Sequence, residues 1–127
     1  MKINHVALYT NDLEGIKNFY EKYFLAKAGE MYHNPRTGLK TYFLSFVGDT
    51  RLEIMTRPDT DDNAHEGYET GYVHLAFSLG SASAVDIMTD RLKNDGFTIL
   101  DGPRTTGDGY YESTALDPDG NIIELTI

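Results

Sequence analysis

Apolar and polar positions alternate with a period of two over several short stretches of the chain. Over two longer stretches they recur every three or four residues. The same succession of patterns runs twice. Positions 3–9 alternate and predict a strand. Asn11 or Asp12 then caps a helix over about 13–24, in which Ile16, Phe19, Tyr20 and Tyr23 form one apolar stripe for a core. A second strand is expected over 26–32, and Asn34-Pro35-Arg36-Thr37-Gly38 is turn chemistry. Positions 41–47 alternate around Tyr42, Leu44 and Phe46. Gly48-Asp49 turns the chain into a strand over 51–55, so these two strands should form a hairpin. Positions 58–71 are rich in Asp, Asn, Gly and Thr and read as a linker. The pattern then restarts: a strand over 72–79, and a helix capped by Ser81 or Ser83 that reaches about 94. Val85, Met88 and Leu92 lie on its inner side, and Asp95-Gly96 ends it. A strand over 97–100, a polar loop over 102–109 and a strand over 110–116 follow. The turn Asp117-Pro118-Asp119-Gly120 leads into a last strand over 122–127.

The order strand, helix, three strands therefore appears twice. The fold class is α+β, with two βαβββ modules over 1–57 and 72–127 joined by the linker 58–71. Neither module has an apolar face large enough to be stable alone, so the two are expected to pack together, within one chain or between chains.

The repeat extends to residues that carry chemistry. Ile3-Asn4-His5-Val6-Ala7-Leu8 and Tyr72-Val73-His74-Leu75-Ala76-Phe77 are near copies. Leu52-Glu53-Ile54-Met55 and Ile122-Ile123-Glu124-Leu125 each set one carboxylate among apolar residues. The offsets match, 48 residues in the first half (53 − 5) and 50 in the second (124 − 74). Successive strand residues point to opposite faces. Glu124 thus lies opposite Ile123 and Leu125, Glu53 opposite Leu52 and Ile54, His5 opposite Val6 and Leu8, and His74 opposite Leu75 and Phe77. Two carboxylates and two imidazoles away from the packed faces point to one divalent cation, because burying the carboxylates unpaired costs several kcal/mol. That donor set leaves room for two waters in an octahedron, which suits Ni, Co, Mn or Fe, and Zn less typically.

Charge and composition narrow the classes. A net charge of −9 sets nucleic acid aside as a partner. No apolar run approaches the roughly 20 residues that span a bilayer. There is no cysteine for a disulfide, a thiolate ligand or a nucleophile. The polar start, Met1-Lys2-Ile3-Asn4, does not read as a secretory signal, so a cytoplasmic location is expected. No phosphate loop, dinucleotide fingerprint or Ser/His/Asp arrangement is evident. His33 and His65 sit in or beside turn-like sequence and are expected to be exposed. Arg36, Arg51, Arg57 and Arg104 are candidates for holding an anionic group. Tyr9, Tyr42, Tyr68, Tyr72, Tyr110 and Tyr111 are expected in the core, an interface or a pocket wall.

The paired modules, the strand histidines, the strand glutamates and the Asp117-Pro118-Asp119-Gly120-Asn121 turn before Glu124 resemble the vicinal oxygen chelate superfamily. Within it the chain looks most like glyoxalase I (lactoylglutathione lyase). The resemblance covers essentially the whole chain. It implies a curved mixed sheet around a metal site whose ligands are His5, Glu53, His74 and Glu124. It implies nickel or cobalt as the preferred ion, with zinc, manganese or iron as alternatives, and a homodimer with sites at its interface. The implied substrate is the hemithioacetal of methylglyoxal and a thiol, converted to a 2-hydroxyacyl thioester through an enediolate. The metal acts there as a Lewis acid, and Glu124 or Glu53 moves the proton. Extradiol dioxygenases and fosfomycin-type thiol transferases need only the equivalents of His5, His74 and Glu124, so Glu53 favours the isomerase. An epimerase, a dioxygenase or a transferase remains an alternative, as does a metal-free binding protein of the bleomycin-resistance kind, which would lack the ligands found here. Tyr9 stands where the family usually has an arginine that contacts glutathione. Arg57 stands just past the second ligand, where asparagine is usual. These two are the residues expected at the substrate, and their departure from the family pattern leaves open which thiol it carries, or whether the substrate is a different one.

Overall fold

Helix α1 (Leu13–Phe24) shows how the first half is put together. The Asp12 side chain accepts a hydrogen bond from the Gly15 amide at 2.9 Å and so satisfies one of the free donors of the first turn. Leu13, Ile16, Phe19, Tyr20 and Tyr23 are buried, which is the stripe expected from their spacing. They pack on Leu44, Leu52 and Ile54, which are also buried. Tyr42 shares that face of its strand and donates its hydroxyl to Glu14 at 2.8 Å. The helix ends with Leu25 in the left-handed conformation (φ 54°), and the Ala26 amide returns to the Tyr20 carbonyl at 3.2 Å.

The computed structural model describes residues 1–61 and 70–127, which form two compact units, Met1–Ala64 and His65–Ile127. The first unit is a five-stranded sheet. Strands β1 (His5–Tyr9), β5 (Arg51–Thr56), β4 (Lys40–Ser45) and β2 (Lys27–Ala28) lie in that order, and β3 (Tyr32–His33) also pairs with β4. β1 runs parallel to β5; the other pairs are antiparallel, and β4 and β5 form the expected hairpin. The strand expected over 26–32 is split into β2 and β3. Its middle, Gly29-Glu30-Met31, leaves the ladder after the Gly29 amide bonds the Phe43 carbonyl at 2.9 Å.

The second unit repeats the plan. Its sheet has the order β6 (His74–Ser78), β9 (Ile122–Thr126), β8 (Tyr111–Leu116), β7 (Ile99–Thr105), with β6 parallel to β9 and the rest antiparallel. Helix α2 (Ala82–Asn94) is capped by Ser81, whose hydroxyl accepts from the Ala84 amide at 3.2 Å. It ends at Gly96 (φ 91°), with the Phe97 amide returning to the Leu92 carbonyl at 2.9 Å. Its buried residues are Val85, Thr89 and Leu92, against Ser113, Ala115, Ile123 and Leu125. Met88, expected inward, is only half-buried. Thr89 takes the inner place because its hydroxyl is satisfied twice, by the Val85 carbonyl (2.7 Å) and by the Ser113 hydroxyl (2.5 Å).

The chain is thus α+β, two βαβββ modules with one helix on one face of each sheet. β7 is the main departure from expectation. Residues 102–105, expected in a loop, continue the strand, with register shifts on both sides of Asp101. Gly102 permits this: its φ is 83°, and a Cβ there would lie 2.6 Å from the Glu112 carbonyl oxygen. A Gly-Pro pair inside a strand marks a bulged edge, and β7 is the edge strand of its sheet. Of the linker expected over 58–71, the stretch 62–69 lies outside the described residues, and so do His65 and Tyr68.

Two stability predictions follow from the local geometry. Leu25 is 81% exposed and sits where a β-carbon is penalised, so Leu25→Gly should raise the unfolding free energy by about 1 kcal/mol in urea denaturation. Asp117 is buried and its carboxylate accepts from the amides of Asp119 (3.0 Å) and Asn121 (2.9 Å) and from the Asn121 side chain. Asp117→Ala strands those donors and should cost roughly 1–3 kcal/mol in the same measurement.

Candidate functional site

In each module the first and last strands are parallel neighbours, and this pairing decides which side chains meet. In the first unit Ala7 lies beside Glu53 and His5 beside Arg51. His5 and Glu53 are therefore diagonal neighbours on the face turned away from α1. His5 Nε2 lies 3.6 Å from Glu53 Oε2, with the two side chains 40% and 17% exposed. In the second unit Ala76 lies beside Glu124 and His74 beside Ile122. His74 Nε2 lies 3.3 Å from Glu124 Oε2, at 38% and 16% exposure. The two halves hold the same pair in nearly the same geometry and at nearly the same exposure. Among the described residues, no group of three or more His, Cys, Asp or Glu lies close enough together to hold an ion. What each unit supplies by itself is one imidazole and one carboxylate.

Two donors each about 2.1 Å from one ion, and about 90–110° apart around it, stand roughly 3.0–3.4 Å from each other. The second pair falls in that interval and the first lies just beyond it, within reach of a small side-chain rotation. Neutral imidazole and carboxylate are both ordinary ligands of divalent first-row metals. Both pairs are therefore chemically fit to hold such an ion, and the second is geometrically fit as it stands.

The surroundings of the pairs differ. Glu53 Oε1 accepts the Thr41 hydroxyl at 3.1 Å. The His5 ring packs edge-on against Phe43 at 5.3 Å between centroids, and the Arg51 guanidinium lies over the same Phe43 ring at 4.4 Å. His5 Nδ1 and Arg51 Nη2 both meet Asn4 Oδ1, at 2.9 and 2.7 Å. In the second unit Thr114 lies opposite Glu124 and Glu112 opposite Thr126, on the same face as His74. Arg104 approaches Glu112 at 3.9 Å while its Nε donates to Asp101, and that guanidinium holds the Asp101 carboxyl below the usual carboxylate range.

Sequence and fold now fix the family. A sequence model of the Glyoxalase/Bleomycin resistance protein/Dioxygenase superfamily matches residues 2–125. The chain belongs to that superfamily. A curated relative, the uncharacterized protein YqjT of Bacillus subtilis, is 30% identical over 97% of this chain and 96% of its own. Among solved structures, a glyoxylase/bleomycin resistance protein/dioxygenase domain from Frankia sp. EAN1pec superimposes with a TM-score of 0.84 at 17% identity, covering 100% of this chain and 97% of that one. The trypanothione-dependent glyoxalase I of Leishmania major does so at 0.80 and 20%, covering 99% and 86%. At those identities the likeness is one of fold. Superfamily members usually bind a divalent metal.

The remaining expected site residues of this glyoxalase-superfamily chain lie apart from the His–Glu pairs. Tyr9 and Arg57 line one pocket of about 420 Å³ together with Asp59, Thr60 and Asp61. Tyr9 is exposed and shares the His5 face of β1. Arg57 does not offer a free guanidinium: Nε and Nη2 bond the two oxygens of Asp59 at 2.8 and 3.2 Å. That fork draws the Asp59 carboxyl below its usual range and pushes the Arg57 guanidinium further up. Arg51 and Arg104 are likewise engaged, with Asn4 and with Asp101. Tyr72 and Tyr110, expected in a core, an interface or a pocket wall, are exposed, as is His33.

Sequence reasoning missed Asn4, Thr41, Asp59 and Asp61. Thr41 had a signal, since it alternates with Phe43 on the strand that pairs with the Glu53 strand. Asn4 had none, because its partner Arg51 comes beside it only through the parallel register. Asp59 and Asp61 fell in a stretch whose composition reads as linker.

Proposed function

We propose that this protein is a divalent-metal-dependent lyase/isomerase of the glyoxalase I type. It would convert the hemithioacetal of a 2-oxoaldehyde such as methylglyoxal and a thiol into a 2-hydroxyacyl thioester. The observation that carries this reading is the duplicated His–Glu pair, held at 3.6 and 3.3 Å in the two modules. His5, Glu53, His74 and Glu124 would be the ligands, with nickel or cobalt preferred on the strength of family resemblance. When bound, such an ion supplies Lewis acidity toward the substrate's oxygens and offsets the negative charge that develops as a carbon-bound proton leaves.

The proton itself is a matter for the carboxylates. The reaction breaks one C–H bond and forms another on the neighbouring carbon, while the hydroxyl proton changes oxygen, so no oxidant or reductant is needed. Glu53 is held by the Thr41 hydroxyl. Glu124 makes no such hydrogen bond among the described residues, so no hydroxyl donor would compete with its taking up a proton. We therefore assign proton transfer to Glu124 and a fixed ligand role to Glu53. The pocket at Tyr9 and Arg57 would receive the thiol-bearing part of the substrate. Its guanidinium is already neutralised by Asp59, with Asp61 beside it, which favours a neutral or cationic thiol over an anionic one. The Leishmania major glyoxalase I on this fold is trypanothione-dependent, so glutathione is not required of every enzyme of this kind.

The first test is elemental analysis of purified protein, paired with an assay of methylglyoxal against several thiols. Chelation should abolish turnover and nickel or cobalt should restore it; a metal-free protein with full activity would refute the reading. Glu124→Gln should keep the native circular dichroism and lose about 10²- to 10⁴-fold in kcat. Full activity in that variant would remove Glu124 from the chemistry. Asp59→Asn should release the Arg57 guanidinium and shift the kcat/KM ratio toward anionic thiols. An unchanged ratio would take Arg57 out of substrate recognition.

A further inference from the structure

The side chains around His5 assign a tautomer to its ring. Arg51 Nη2 lies 2.7 Å from one atom of the Asn4 side-chain amide. A guanidinium only donates, so that atom is the amide oxygen. The same oxygen lies 2.9 Å from His5 Nδ1. An amide oxygen only accepts, so Nδ1 carries a hydrogen and donates it. In the neutral ring the other nitrogen, Nε2, then holds the lone pair. It is Nε2 that faces Glu53, at 3.6 Å, a separation too long for a good hydrogen bond. A lone pair opposite a carboxylate is unfavourable unless something positive lies between.

We propose that Asn4 and Arg51 are positioning residues that hold His5 as the Nδ1–H tautomer and so keep Nε2 ready as a ligand. The role assigned to Nε2 rests on the metal reading above; the tautomer does not. Arg51 acts at one remove: it prevents the amide from flipping and presenting its NH2 group to His5. Its guanidinium is itself fixed over the Phe43 ring, against which the His5 ring also packs. Among the described residues the device exists in one module only. The residue before His74 is Val73, and the residue beside it on the parallel strand is Ile122, so both polar partners are replaced by apolar side chains. Two repeats with otherwise matched His–Glu pairs thus hold their rings in different ways, and His74 serves as an internal control.

The experiment is a two-bond proton–nitrogen NMR correlation on the metal-free, full-length protein at mildly alkaline pH, which reads the tautomer of each histidine directly. In the wild type, His5 should show Nδ1 protonated and Nε2 unprotonated. Asn4→Val should shift His5 toward the Nε2–H form and leave His74 unchanged. Asn4→Asp, which keeps an acceptor oxygen, should restore the wild-type pattern, and Arg51→Met should give a mixture. In calorimetric titration with nickel, Asn4→Val should bind about 10- to 100-fold more weakly, with Asn4→Asp close to wild type. A wild-type His5 in the Nε2–H form, or a tautomer indifferent to Asn4→Val, would overturn the proposal without reference to any metal. A wild-type His5 held as Nδ1–H in a protein that takes up no nickel or cobalt would support the tautomer assignment and overturn the metal reading instead.

Discussion

Everything at the candidate site depends on the parallel pairing of the first and last strands of each module. A parallel pair cannot be closed by a tight turn; it needs a crossover, here a helix and further strands. The helix lands on one face and buries it, and burial fixes the register, because a slip by one residue would turn Leu52 and Ile54, or Ile123 and Leu125, out into water. With that register set, the opposite face has no freedom. His5 must lie diagonal to Glu53, and His74 to Glu124. The polar pair is positioned by the apolar pair behind it, and the hydrophobic effect does the positioning.

That dependence explains which parts of the structure were legible in the sequence. The stripe of α1, the 4–5 hairpin and the orientation of all four His and Glu side chains follow from local periodicity alone, and they are as read. The turn at Asp117 was legible for the same reason, since its side chain bonds amides two and four residues on. What was not legible needed a contact or a turn that periodicity does not carry. Thr89 reads as polar until its hydroxyl meets Ser113 on another element. Residues 102–105 read as loop because Gly and Pro argue against a strand, yet a bulged edge strand accepts both. Arg57 reads as a free cation until the chain turns back and Asp59 closes on it.

The repeated architecture also shows where two copies of one plan have diverged. On the parallel strand pair the helix-facing positions remain apolar in both halves, as Leu52 and Ile54 match Ile123 and Leu125. Positions flanking the polar pair do not match. Asn4, Thr41, Phe43 and Arg51 surround it in one unit. Val73, Glu112, Thr114 and Ile122 hold the corresponding places in the other. Packing constrains the first set closely. Apart from the buried Thr41, the second set is half-exposed or exposed, and substitutions at those positions cost little stability.

This divergence bears on the proton transfer proposed above. A carboxylate that only binds a cation gains from being held still, and Glu53 has a hydroxyl donor on one oxygen. A carboxylate that must also collect a proton and deliver it one carbon away needs room to move and no competing donor. Glu124 lies opposite Thr114 on the neighbouring strand, with Glu112 two residues away on the same face, and accepts no hydroxyl among the described residues. Two identical half-sites would hold both carboxylates equally, and neither would have a reason to leave its place. With the helix-facing side kept and the polar side free to drift, duplication lets one half become rigid and the other compliant. The proposed proton transfer calls for that asymmetry, and the Thr41 hydroxyl on Glu53 is the part of it seen in the structure.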